Sequence, residues 1–407
     1  MVPVYFSNPA VLCAAGNNSN ELWQSVISGN QKGIKKVTAL NGKEFFAARI
    51  DDSVIQEKSS ARYDMRIMRI EEKCLLQLEN AISKAKEIYK AERIGVCVGS
   101  CDNGTEFSVA GHRKFFETGA FEKGYSLEIQ GADYVSTFIK EKYGLTGPCM
   151  TFSTACSSSA GSIIKAAELI RSGICDAVIA GGVDIASDTV LMGFDSLEAV
   201  SQEITNPFSK NRHGITLGEA AAFFVLSKED IDSTGIELTG YGESADAYHM
   251  TSPDPSGEGA AAAMQKALKL AGISAEDVDY INLHGTGTKF NDSMEAKAVE
   301  KIFSGYNVPC STTKTLTGHT LGAAGSLEAA ISFLAIQQNR GKSGEEIKLP
   351  VQIWDGVQDE EIPVINIIGK AGITGEVKKI STCLSNSFAF GGSNACLIIA
   401  ERNRNGN

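Results

Sequence analysis

The chain has 407 residues, 43% of them hydrophobic and 21% charged, with a formal net charge of −11. This is the profile of a soluble globular protein with ample core, and its negative balance argues against nucleic acid as the main partner. No window approaches the roughly 18 consecutive apolar residues of a membrane span.

The start, "MVPVYFSNPAVLCAAGNN", lacks a basic n-region and reads as a first core strand, not a signal peptide. The ten cysteines are scattered, mostly within apolar segments and without a CxxC pair. They read as buried free thiols of a cytoplasmic protein. "SSARYDMRIMRIEEK" then puts Arg62, Arg66 and Arg69 at i, i+4, i+7, one face of a helix. A solvated face paired with Glu71 and Glu72 explains the same spacing. The strand "ERIGVCVGS" feeds a loop carrying Cys101, Asp102 and Asn103. Further short apolar strands, "DAVIAGGVD" and "VDYINLHG", alternate with amphipathic helices, which predicts an α/β fold. A seam at "LSKEDIDSTGIELTGYG" separates residues 1–232 from 233–407, after which the pattern restarts.

The restart has the marks of a duplication. "PCMTFSTACSSSAGSIIKAAELIRSG" (148–173) parallels "PCSTTKTLTGHTLGAAGSLEAAISFLAIQQNRG" (309–341). Both run from Pro-Cys through a Thr/Ser-rich turn to Ala-Gly-Ser and an apolar helix. "LGEAAAFFVLSKE" (217–229) and "FGGSNACLIIAER" (390–402) form a second pair. Two halves related by a pseudo-twofold axis would bring Cys156 and His319 together at their junction. Chance similarity of Ala/Ser-rich stretches is the competing explanation, weakened by two matches in the same order.

Cys156 stands at a helix mouth among very small residues. Unpaired N–H groups there carry partial positive charge, which lowers a thiol pKa and favours a nucleophile over a packed core thiol. Two of only five histidines lie in Gly/Thr loops, His284 in "NLHGTGT" and His319 in "KTLTGHTLGAAGS". Together the three suggest a Cys-His-His site. No second ligand lies at i+2 to i+5 from any of them, so no metal is expected. "GEGAAA" (257–262) follows a turn, not a strand, and "GKS" (341–343) lacks the upstream glycine of a P-loop, so both nucleotide readings fail.

With these residues the chain resembles the elongating β-ketoacyl-acyl-carrier-protein synthases of the thiolase superfamily. "TACSSSAGS", "HGTGT" and "KTLTGHTLGAAG" carry the likeness, with "AYHMTSPDP", "NPFSKNRHGITLGEAAA" and "NSFAFGGSNA" in the family's order over almost the whole length. The segment from "GGVD" to "GFDSLEAVS" is nearer type I and polyene-pathway condensing enzymes than type II. The resemblance implies a thiolase-like, five-layer αβαβα fold of two pseudo-twofold-related halves, and a homodimer. It implies decarboxylative Claisen condensation of malonyl-carrier with an acyl group on Cys156, in fatty acid or related polyene or polyketide elongation. His284 and His319 would be the paired histidines, and Lys314 and Glu328 their supporting residues. Phe390 would be the gating phenylalanine, its N–H joining that of Cys156 in an oxyanion hole. Thr251, Thr286 and Thr288 would bind the phosphopantetheine arm, and the helix of Arg62, Arg66 and Arg69 would receive the acidic acyl carrier protein. No cofactor beyond that arm is implied. Ala389, Ala220, Ala222 and His213 depart from the family pattern, where Gly, Gly, Gly and Asp are usual. An idle or carrier-binding subunit of a heterodimer is the alternative function. In the acyl tunnel, Asp102 either caps a neighbouring amide or marks a tunnel suited to short or conjugated chains; the second is favoured here.

Overall fold

The computed structural model describes residues 1–370, 372 and 377–402. Two eight-residue strands, Ala177–Asp184 and Ala220–Ser227, are buried at every position. Continuous burial means that both faces of the sheet are covered. These two pair antiparallel, from Ala177 opposite Ser227 to Asp184 opposite Ala220. Ile94–Gly99 lies parallel to Ala177–Asp184 and in turn to Cys149–Phe152, while Ala10–Cys13 pairs with Ala220–Ser227. A second group runs Cys310–Ser311, Tyr280–Asn282, Thr382–Phe388, Ser393–Glu401, Ile236–Ala245. The short strand Tyr5–Phe6 bonds to both Ala220–Ser227 and Ile236–Ala245, joining the groups into one set of eleven strands.

The helices fall into three layers around these two groups. Ala324–Gln338 and Ser158–Arg171 pack against each other and against strands of both groups. Every residue from Ala324 to Ile336 is buried. A helix apolar all round must lie inside, and this one does. Arg66–Leu75 and Tyr134–Tyr143 cover the outer face of the first group. Glu258–Ala271 covers the second, with Lys289–Phe303 packed upon it. Helix, sheet, helix, sheet, helix is the expected five-layer thiolase-like arrangement.

Each middle helix is entered through a single 3-10 turn, Ala155–Ser157 in one case and Leu321–Ala323 in the other. Both turns open on a non-glycine residue in the left-handed region, Ala155 at φ 52° and Leu321 at φ 54°. Such a residue costs about 1 kcal/mol or more. This repeated strain is the structural counterpart of the repeated sequence, and it refines the register. The position matching Cys156 is Gly322; His319 stands three residues earlier. The helices then meet almost backbone to backbone: a Cβ on Gly325 would lie 2.6 Å from the Ala160 nitrogen. The strand Ile94–Gly99 approaches as closely, since a Cβ on Gly99 would lie 2.2 Å from the Ser159 nitrogen. The Ser326 N–H donates to Ser159 Oγ at 2.8 Å across the same contact.

The arginine face does not form. The helix Arg66–Leu75 starts after Arg62, which pairs with Glu128 at 2.7 Å. Arg69 pairs with Asp64 at 2.5 Å. Arg66 turns inward to Glu219, at 2.5 Å, whose side chain is fully buried, and to Asp52 at 2.6 Å. The partners expected for a solvated face are elsewhere too: Glu72 takes Lys142 at 2.7 Å, and both carboxyl oxygens of Glu71 are buried without a hydrogen-bond partner among the described residues. Burial pushes Glu71 well above the usual carboxylate range. Among the described residues no helix is long and apolar enough to cross a membrane, and all ten cysteines are unpaired.

This packing generates three stability predictions. Gly325→Ala should overpack the helix contact and lower the unfolding free energy by roughly 1–3 kcal/mol in urea titration. Arg66→Ala should cost about 3 kcal/mol, because it leaves the buried Glu219 with only the Ile50 N–H at 2.7 Å and Arg49 at 3.9 Å. Arg62→Ala, which breaks an exposed pair and a contact over the Tyr63 ring, should change stability by only about 1 kcal/mol.

Candidate active site

The two helix entrances bring together what the sequence keeps far apart. His319 Nε2 lies 3.0 Å from Cys156 Sγ, 163 positions away along the chain. His319 is held through its backbone, its N–H donating to the Thr216 carbonyl at 2.7 Å and its carbonyl accepting from Gly218 at 2.9 Å. The His284 ring stands edge-on to that of His319, centroids 5.3 Å apart and planes at 87°.

Lys314 stands behind both rings, on the one-turn helix Lys314–Thr317. Its buried ammonium donates to the His284 carbonyl at 2.5 Å, approaches His284 Nδ1 at 3.4 Å and pairs with Glu328 Oε1. Burial, and then the Lys314 charge, hold both imidazoles well below their ordinary value; His319 adds to the effect on His284. Both rings are therefore neutral. Glu328 is pushed up to about 7 by burial, with Lys314 pulling the other way.

The partners of the rings set their tautomers. Nδ1 of His319 accepts the Leu321 N–H at 3.3 Å. Nδ1 of His284 faces the Lys314 ammonium. A nitrogen that accepts cannot carry the ring proton, so both rings are assigned Nε2–H. Two neutral N–H donors thus face one thiol. The three donor atoms lie within 4.8 Å of one another, close enough to gather a metal ion. The polarity behind them is wrong for it: ligating imidazoles normally donate their far N–H to a carboxylate or carbonyl. Here both far nitrogens accept, one of them from a cation.

The thiol departs from expectation. Burial pushes Cys156 up to about 12, although Lys314 and a hydrogen bond from the Phe390 backbone pull it down. The helix entrance does not make a standing thiolate, because the desolvation of a fully enclosed sulfur outweighs the local dipole. The Phe390 amide nevertheless reaches the sulfur with its hydrogen bond. The Phe390 ring stacks on Phe194, centroids 5.8 Å apart.

A cavity of about 440 Å3 opens from Cys156, His284, His319 and Phe390 past Thr251, Thr286 and Thr288. The expected arm-binding threonines thus line one passage to the thiol. Thr286 and Thr288 hydrogen-bond each other at 3.0 Å. Asp102 does not line this cavity. Its carboxylate accepts the Gly104 N–H at 2.8 Å and the Tyr134 hydroxyl at 2.7 Å. The capping reading of Asp102 holds, and the preference for a pocket-lining carboxylate is corrected.

Two carboxylates essential to the geometry escaped the sequence reading. Glu295 accepts the N–H groups of His284 and Gly285, both at 2.7 Å. Asp292 accepts those of Thr286 at 3.0 Å and Gly287 at 3.2 Å. Both sit on the helix Lys289–Phe303 and clamp the loop that precedes it. Their spacing of three, directly after "HGTGT", was the available signal.

Comparison with known proteins agrees with this geometry. Residues 9–231 match the family model "Beta-ketoacyl synthase, N-terminal domain" and residues 236–341 its C-terminal counterpart. The chain is 34% identical to the 3-oxoacyl-[acyl-carrier-protein] synthase 2 of Coxiella burnetii, covering 98% of both chains. It is 30% identical to the protein of that name from Vibrio cholerae, covering 97% of this chain and 98% of the other. Both carry the name synthase 2. Among solved structures, a ketosynthase (ApeO) in complex with its chain length factor (ApeC) from Xenorhabdus doucetiae superposes with a TM-score of 0.85 at 35% identity, covering 98% of each chain. A beta-ketoacyl synthase from Burkholderia phymatum gives 0.80 at 26% identity, over 99% of this chain and all of the other. With a cysteine and two neutral histidines assembled as the motifs require, the chain belongs to the beta-ketoacyl synthase family.

Proposed function

We propose that this condensing enzyme extends acyl chains delivered on acyl carrier protein, with Cys156, His284 and His319 as the reacting set. The 3.0 Å approach of His319 Nε2 to Cys156 Sγ, with both imidazoles neutral, is the observation that supports this most directly. In the first half-reaction the Cys156 sulfur bonds to the acyl carbonyl carbon and the carrier thiol leaves with the proton. In the second, a malonyl thioester loses carbon dioxide, and its enolate oxygen takes the two Nε2–H groups. The enolate carbon then bonds to the acyl carbonyl carbon, whose oxygen rests on the N–H groups of Cys156 and Phe390; the carbon–sulfur bond breaks, and the thiolate takes a proton from solvent to restore the thiol. Neutral donors stabilise the enolate without protonating it. None of these steps draws on a metal or a redox cofactor.

The arm of the carrier would enter along Thr251, Thr286 and Thr288. An idle subunit is not favoured, since all three reacting side chains are in place. A dimer belongs to this reading, with a second copy or with a related subunit, as the Xenorhabdus doucetiae ketosynthase has its chain length factor. Sedimentation of the chain alone distinguishes the two. The ten unpaired cysteines suit a cytoplasmic enzyme.

The test is malonyl-carrier decarboxylation and condensation by the purified chain, with mass spectrometry to locate the acyl group on Cys156. Cys156→Ser should abolish condensation. His284→Ala and His319→Ala should each lose about 10²–10³ in decarboxylation, the value of one such donor. His319→Ala should also slow acylation, because its ring touches the sulfur, and His284→Ala should slow it less. Equal losses in all four measurements would contradict this assignment.

The raised thiol gives a pH prediction. A group held above its ordinary value stays protonated through neutrality, so its thiolate fraction keeps rising with pH. Alkylation of Cys156 by iodoacetamide should therefore accelerate steadily between about pH 6 and pH 9. A plateau reached near pH 7 would mean a depressed thiol.

A further inference from the structure

Asp184 ends the strand Ala177–Asp184 and is 1% exposed, yet the steps assigned above make no use of it. Its Oδ2 accepts two backbone N–H groups, from Cys101 and from Gly322, each at 2.8 Å. These come from opposite sides of the active site. The Cys101 thiol donates to the Ala155 carbonyl at 3.3 Å, and Ala155 is the left-handed residue directly ahead of Cys156. Gly322 follows Leu321, the other left-handed residue, whose N–H donates to His319 Nδ1. The fit at Gly322 is tight, since a Cβ there would lie 2.7 Å from the same Asp184 oxygen. One carboxylate oxygen therefore touches the segment that supports the nucleophile turn and the turn that sets the histidine tautomer.

We propose that Asp184 is a positioning residue for the reaction, a shared anchor that fixes the Cys156 thiol relative to the His319 imidazole and keeps the His319 proton on Nε2. A carboxyl oxygen suits this task, because its two lone pairs accept both N–H groups at once. Two strained turns also need surroundings that over-determine them. Burial pushes the Asp184 carboxyl up to about 7; the Cys101 amide opposes this, Asp102 reinforces it, and the Gly322 amide opposes it again.

The alternative is that Asp184 merely stabilises the fold, in which case its loss lowers the melting temperature without touching the chemistry. Asp184→Asn and Asp184→Ala in the full chain separate the two. The readouts are thermal melting, kcat and KM for each half-reaction, and 15N NMR of imidazole-labelled protein without substrate. In folded variants kcat for acylation and decarboxylation should fall about 10–100-fold, the scale of a small misplacement of reacting groups. Carrier KM should move less than about threefold, as expected when ground-state binding is untouched. The His319 signals should shift from the Nε2–H form toward a mixture of tautomers. Rates within about twofold of the parent, with unchanged His319 signals, would overturn the inference. If the alanine variant does not fold, the near-isosteric asparagine variant decides alone. The inference rests on Cys156 and His319 reacting together, but the tautomer signal is read without substrate. Failure of that reading is therefore distinguishable from failure of this one.

Discussion

Everything at the active site depends on how closely the two middle helices approach. Gly325 against Ala160 leaves no space for a Cβ between the helices, and Gly99 and Gly182 leave none between their strands and Ser159. A methyl group on Gly325 would push the two helices apart, and one on either strand glycine would lift the start of the Cys156 helix off the sheet. Because Cys156 and His319 stand at or just before those entrances, their 3.0 Å separation is set by packing and not by their own bond. The strained residues Ala155 and Leu321 are tolerated for the same reason: the turns have nowhere else to go.

Upon this frame the electrostatics are arranged in one direction. The Lys314 ammonium donates hydrogen bonds toward His284 and Glu328, the Leu321 N–H donates to His319, and each ring is left with its Nε2–H free to donate. Asp292 and Glu295 fasten the His284 loop by its backbone, so that ring is placed before any substrate arrives. Such preorganisation is what makes a hydrogen-bond donor effective toward developing charge. Burial serves it by keeping the imidazoles neutral, and works against it at Cys156, whose thiol is held protonated.

How much of this is written in the sequence varies with how local the cause is. Cys156, His284 and His319 stand out because each is a reactive residue in a loop of very small neighbours, a feature a short window displays. Lys314 and Glu328 carry no such mark and are found through family likeness. Asp292 and Glu295 look like ordinary acids of a solvated helix; only the fold turns them toward the amides of the preceding loop. The arginines mislead in the opposite sense. Helical spacing places Arg66 on an outer face, whereas its partner Glu219 lies 153 positions away. The thiol shows the same limit, since a helix entrance is a local property and enclosure of the sulfur is not.

The all-round burial of the helix Ala324–Gln338 makes the two halves of the chain depend on each other. A half-length piece built around such a helix would expose an apolar surface that the rest of the chain now covers. Carrying both halves on one chain keeps each at a high effective concentration for the other. It also lets the two helix entrances differ. One carries Cys156, and the other carries Gly322, where any side chain would collide with Asp184. The second entrance offers no side chain at that point and supplies instead, three residues earlier, the histidine that Cys156 meets.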